Sequence, residues 1–255
     1  MNTWFQRKVT PLQSLNYFLL LIAIFTVVGC TNSDDELPER IQSFQILSIG
    51  DSRVEGHETD FVSYRYELWK LLKNDNSVVD FFGSRIDQRV YPDFQETQFD
   101  TQHEGKSGDR IDEALVRLDT LLTNNPSVVG NIVLLGIGGN DLIQGISAGT
   151  AIQNLNHMID KLQATNSTTT IFIEKIAPGT SSFQESNAMN QSEYDAFNEA
   201  ISNLAIIRTT SQSRVIAVDM STILTDEDYA DEVHYNQSGA QKVASQYYEA
   251  IQSSF

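Results

Sequence analysis

The chain has 255 residues, 40% hydrophobic and 20% charged, enough apolar content to bury a core for one large α/β domain or two small ones. Its formal charge of −17 argues against nucleic-acid binding, since a phosphate backbone is held by Lys and Arg, and against electrostatic steering toward anionic lipid. Cys30 is the single cysteine, and His57, His103, His157 and His234 show no metal-ligand spacing, so neither an intramolecular disulfide nor a cysteine- or histidine-based metal site is expected.

Arg7 and Lys8 precede an apolar stretch from Tyr17 to Val28 that is shorter than the roughly 20 residues of a spanning helix. Gly29, Cys30 and the polar Thr31 to Glu36 follow, the order of a signal peptide and its cleavage region. Val27-Val28-Gly29-Cys30 resembles a bacterial lipobox. That resemblance implies a leader over 1–29, lipidation at Cys30 and a tether over 30–42. The product would be an exported lipoprotein, periplasmic or on the cell surface, with the outer membrane the expected carrier. An uncleaved N-terminal anchor is the alternative. Ser33-Asp34-Asp35-Glu36 resembles the acidic surface-export signal of Bacteroidetes lipoproteins, although a short acidic run also reads as a solvated tether.

From residue 43 onward apolar runs alternate with amphipathic stretches. Strands are predicted over 44–49, 78–82, 131–135, 170–173 and 214–218. Helices are predicted over 61–73, 111–122, 151–162, 194–207 and 239–251. Continuous apolar strands alternating with helices indicate one domain over 43–255, a five-stranded parallel sheet between two helical layers. In such sheets the ligand crevice lies beyond the carboxyl ends of the strands. Polar clusters that follow strands are therefore the candidates for chemistry.

Four clusters qualify. Gly50-Asp51-Ser52 follows the first strand and presents a hydroxyl near free backbone N–H groups; alone it reads equally as a turn. Glu104 to Arg110 precedes the second helix and brings Gly105 and Gly108 near the crevice, unless it is only a flexible loop with a helix cap. Gly136 to Asp141 follows the third strand, and Asn140 offers an uncharged N–H donor suited to an oxyanion. Asp231-Glu232-Val233-His234 precedes the last helix. His234 is a base able to activate a serine, and Asp231 a carboxylate able to orient it; taken singly they belong to a solvated acidic loop. The segments 86–102 and 178–191 are polar and irregular, and both follow strands. Either could line the crevice mouth. Tyr91, Phe94 and Phe99 are candidates for stacking on sugar rings, or for packing a long loop onto the body.

In their order along the chain these clusters resemble the conserved blocks of the SGNH hydrolase superfamily, the GDSL esterases, over residues 46 to about 251. The resemblance implies a flavodoxin-like three-layer αβα sandwich. It implies Ser52 as nucleophile, with Asp231 and His234 completing a triad. It places the oxyanion hole at the N–H groups of Ser52 and Gly108 and the amide of Asn140. Phe81-Phe82-Gly83-Ser84, His103 to Gly108 and Arg110-Ile111-Asp112 are similar to the acetyl xylan esterase-like branch. Asp109 stands where that branch often has Trp, which implies a more polar acyl pocket. Arg53-Val54 and Tyr235 also depart from the branch, where Ile-Thr and Pro are common.

The function expected is cofactor-independent hydrolysis of small esters by a monomer, with O-deacetylation of carbohydrate foremost. A lipolytic esterase, lysophospholipase or thioesterase of the same fold is the first alternative, and a non-catalytic surface binding module the second.

Overall fold

Residues 41–255 are described in the computed structural model. The expected leader, Cys30 with its expected lipidation, and the expected tether up to residue 40 lie outside the described residues. The first apolar run forms β1 (Ser43–Gly50), and the sheet grows from it in both directions. On one edge lies β5 (Ile132–Gly136), followed by β6 (Thr170–Lys175) and β7 (Val215–Asp219), all parallel. The other edge of β1 is shared. Its first half pairs with β2 (Val78–Phe82), and its last two residues pair with β4 (Gln102–Gly105). The five apolar runs thus stand in the spatial order 2-1-3-4-5, the flavodoxin-like arrangement.

Alternate side chains of each strand enter opposite faces. Leu47, Ile49, Val133, Leu135, Ile171 and Ile173 meet α3 (Ile111–Asn124), α5 (Ala148–Thr165) and α7 (Gln191–Arg208) on one face. Ile46, Ile132, Leu134 and Phe172 meet α2 (Arg65–Asn74) and α8 (Gln237–Gln252) on the other. Burial on both faces is why these strands read as unbroken apolar runs. The expected three-layer sandwich is the observed one.

The strand count differs. Among the described residues the sheet has seven strands, because β3 (Arg85–Ile86) pairs antiparallel with β4. β3 is only two residues long, and β4 reads Gln-His-Glu-Gly, so neither carries an apolar signal. The polar side chains of β4 are accommodated locally: His103 Nδ1 accepts the Gly105 N–H at 3.0 Å, and Glu104 accepts the Ser84 N–H. Burial lowers the His103 pKa to about 3, with Arg65 and Arg85 acting in the same direction, so the ring is neutral.

The helix expected over 61–73 begins instead at Arg65, which releases Phe61 from the core. The segment after β3 divides: Ile86 and Gln88 line a depression that adjoins His57 and Ser107, whereas the part from Tyr91 to Phe99 is a loop packed onto the body. Phe99 is buried, with its ring 5.1–5.5 Å from those of Tyr66, Trp69, Phe81 and Tyr91. Phe94 meets Trp69 edge-on at 6.0 Å. Tyr91, Phe94 and Phe99 therefore pack the loop onto the body, and the sugar-stacking expectation for them is withdrawn.

Candidate active site

β1 ends at Gly50 in a tight exit. A Cβ there would stand 2.3 Å from the Gly136 carbonyl oxygen of β5, so only glycine lets the chain turn at once into α1 (Ser52–Glu55). Asp51 caps this single turn by accepting the Arg53 N–H at 3.0 Å. Burial raises the Asp51 pKa against the opposing pull of Arg53. Ser52, first residue of the turn, opens into a cavity of about 470 Å³.

The turn carrying His234 arrives from the far end of the chain. Asp231 Oδ1 accepts the backbone N–H groups of Val233 and His234, both at 2.8 Å, which closes the turn. Asp231 Oδ2 lies 2.7 Å from His234 Nδ1, and His234 Nε2 lies 2.8 Å from Ser52 Oγ. Burial acts to raise the Asp231 pKa, but the His234 and Val233 N–H bonds and the imidazole outweigh it and hold the carboxyl below its ordinary value. The result is one chain of hydrogen bonds from carboxylate through imidazole to hydroxyl.

Gly108 and Asn140 line the same cavity. Gly108 has φ +82°, a conformation that favours glycine whatever the space available, and its backbone faces open volume. Its loop is pinned one residue earlier. Glu55 accepts both the Ser107 N–H (2.6 Å) and the Ser107 hydroxyl (2.5 Å), and pairs with Arg85 on the other side. Asn140 sits in the first turn of α4 (Gly139–Ile143), directly after β5 and its glycine-rich exit. Its Nδ2 donates to the Asp109 carbonyl at 3.1 Å and makes a long 3.5 Å contact to Asp51 Oδ2, so the amide is oriented. Its neighbour Asp141 is buried and accepts the first N–H of α3, Ile111, at 3.0 Å; burial raises the Asp141 pKa to about 6.

Three further positions depart from the sequence reading. Asp109 does not polarise the cavity wall: it is buried in ion pairs with Arg117 and, at 3.2 Å, Lys106. Arg53 ties the Ser52 turn to both flanks, donating to the Ala177 and Val233 carbonyls at 3.0 and 2.9 Å across the Tyr235 ring. Phe61 stacks face to face on His234, ring centroids 3.9 Å apart at 12°. Nothing in the sequence separates Phe61 from a helix core position, because its spacing to Tyr64 and Leu68 mimics the helical stripe.

Of the two irregular segments, 178–191 lines the cavity through Pro178, Phe183 and Met189, with α6 (Ser181–Glu185) folded inside it. The Thr180 N–H donates to the Glu232 carbonyl at 2.9 Å, joining this wall to the histidine turn. Among the described residues no group of three His, Cys, Asp or Glu side chains is placed to hold a metal ion.

A parallel αβα sheet that carries a serine, an imidazole and a carboxylate at its carboxyl edge is the frame of a serine ester hydrolase. The chain belongs to the GDSL-like lipase/acylhydrolase family, the SGNH hydrolases, whose model matches residues 48–242. Its fold is similar to a carbohydrate esterase family 3 protein from Talaromyces cellulolyticus, at 26% identity and TM-score 0.68, over 82% of this chain and 96% of that one. A Clostridium thermocellum family 3 carbohydrate esterase is similar at 26% identity and TM-score 0.65, over 83% and 96%. A mutant acetyl esterase with acetate ion is similar at 25% and 0.65, over 82% and 96%. No curated protein sequence matches the chain.

Proposed function

We propose that the protein is a carbohydrate O-acetyl esterase in which Ser52, His234 and Asp231 form the catalytic triad. The observation that carries the reading is the 2.8 Å contact between His234 Nε2 and Ser52 Oγ inside a cavity shared with Gly108 and Asn140. His234 takes the Ser52 proton as Oγ attacks the ester carbonyl carbon. The N–H groups of Ser52 and Gly108 and the Asn140 amide receive the oxyanion, each such donor being worth about 10²–10³ in rate. His234 then protonates the leaving alcohol. Water, deprotonated by His234, attacks the acyl-enzyme and releases acetate, restoring Ser52. Asp231 holds the imidazole tautomer and balances the imidazolium.

The acetylated carbohydrate substrate is supported by the likeness to the family 3 carbohydrate esterases. Export as a lipoprotein anchored at Cys30 belongs to the same reading, since it would carry the enzyme to polymers too large to enter a cell.

Ser52→Ala is expected to abolish turnover of p-nitrophenyl acetate and fluorophosphonate labelling, while the far-ultraviolet circular dichroism stays unchanged. Wild-type rates in that variant would end the assignment.

A further inference from the structure

Three rings stand in a row away from Ser52. Phe61 lies on His234, and His57 follows it at 5.5 Å between centroids and 31°. His57 is fixed in place, its Nδ1 accepting the Thr59 and Asp60 N–H groups at 3.4 and 3.3 Å. The strip is anchored at both ends of its loop, by the His57 N–H to the Phe61 carbonyl (3.1 Å) and the Val62 N–H to the Tyr235 carbonyl (3.0 Å). At His57 and Ser107 the catalytic cavity meets a second depression of about 190 Å³, lined also by Glu58, Ile86 and Gln88. Ile86 is 63% exposed there.

Proton transfer decides which half of the ester lies on this side. The leaving oxygen takes its proton from His234 Nε2 and must lie within hydrogen-bond reach of it. The carbonyl oxygen points instead toward Gly108 and Asn140. Phe61 and His57 line the same cavity beside His234, so an alcohol leaving past the imidazole can follow the strip of rings. We infer that Phe61, His57 and the depression beyond them form a subsite for the alcohol half of the substrate, taking the next sugar rings of a saccharide chain. This rests on the O-acetyl esterase reading.

The lining fits that chemistry. The half-exposed His57 ring offers an apolar surface to the C–H face of a pyranose, the exposed carboxylates of Glu58 and Asp60 accept hydrogen bonds from hydroxyls, and the Gln88 amide accepts or donates them. A hydrocarbon chain in the same place would desolvate those polar groups without replacing their hydrogen bonds. Phe61 is in addition a positioning residue: stacking restrains rotation of the imidazole that faces Ser52.

The test measures kcat and KM on O-acetylated xylose, O-acetylated xylotetraose, p-nitrophenyl acetate and p-nitrophenyl octanoate. The wild-type protein, the His57→Ala/Ile86→Ala double variant, Phe61→Ala and Phe61→Tyr are compared. The wild type is expected to prefer the tetraose over the monosaccharide by about tenfold in kcat/KM, expressed in KM. The double variant brings that ratio to near unity. Phe61→Ala lowers kcat on all the acetate esters, and Phe61→Tyr, which keeps the stacked face, restores it. Equal wild-type kcat/KM on the two sugars, or a preference that survives the double variant, overturns the subsite while leaving the esterase reading in place. Turnover of the octanoate with neither sugar acetate cleaved ends that reading and the subsite with it.

Discussion

Asp231 divides its work between two oxygens. Oδ1 holds the two N–H groups that shape the turn, and Oδ2 holds the imidazole. Asp231→Asn keeps an acceptor for the backbone but puts an amide where the charge was, so it favours the wrong tautomer of His234. We expect kcat for p-nitrophenyl acetate to fall by on the order of 10⁴, the size of effect seen when a triad carboxylate becomes an amide, with little change in melting temperature. A fall of less than tenfold would remove the carboxylate from the chemistry. Because the folded carboxyl pKa is depressed, its ionised form is fully present above the ordinary value and is lost only as pH drops below it. Asp231 therefore does not set the acid limb of activity near neutral pH. The polar members of this site could be read from residue type and place after a strand, since a hydroxyl, an imidazole and a carboxylate each announce their chemistry. Phe61 could not be read that way, because an aromatic ring carries the same hydrophobic signal in a core as on an active-site imidazole.

At the scale of elements, the long apolar strands and the amphipathic helices were visible in advance, since burial on two faces or on one stripe writes itself into the sequence. The hairpin of β3 and β4 was hidden because its four-residue strand Gln102–Gly105 is polar throughout, buried by pairing with β1 and by local hydrogen bonds rather than by apolar side chains. The short turns α1, α4 and α6 were hidden for another reason: four or five residues leave no room for a helical period. The loop between β3 and β4 tests the difference between packing and recognition. Phe99→Ala should cost about 3–5 kcal/mol in urea unfolding, the usual range for a buried aromatic, and leave kcat/KM on acetylated saccharides unchanged. Loss of saccharide activity without loss of stability would return Phe99 to the substrate side.

For the molecule as a whole, buried carboxyls contribute to stability with opposite dependence on pH. Glu174, on β6, is 2% exposed, and its Oε1 accepts the Tyr247 hydroxyl at 2.7 Å. Burial raises its pKa from the ordinary 4.5 to about 7. The folded state thus keeps a proton that the unfolded chain gives up, and this contribution to stability is present below about 4.5 and fades as pH rises toward 7. Asp141 acts in the same direction over a lower window, ending at about 6. Asp228 opposes them. Burial raises its pKa, but Lys242, Thr225 and Ser238 together overcome that and hold the carboxyl at about 2. Its contribution is present above the ordinary 3.8 and fades as pH falls toward 2. Glu174→Gln copies the protonated acid, so its gain in melting temperature should be larger at pH 8 than at pH 5. Equal gains at both values would show that Glu174 is not the group that titrates.

The two hydrogen bonds of the histidine differ in reach. The one to Asp231 closes over three residues, whereas the one to Ser52 spans 182. During refolding the carboxylate–imidazole pair can form as soon as its own turn does. Ser52 meets it only when the first strand and the turn before the last helix have docked on the same sheet. Recovery of esterase activity is therefore a clock for closure of the entire fold, and it should lag every spectroscopic signal that reports local structure.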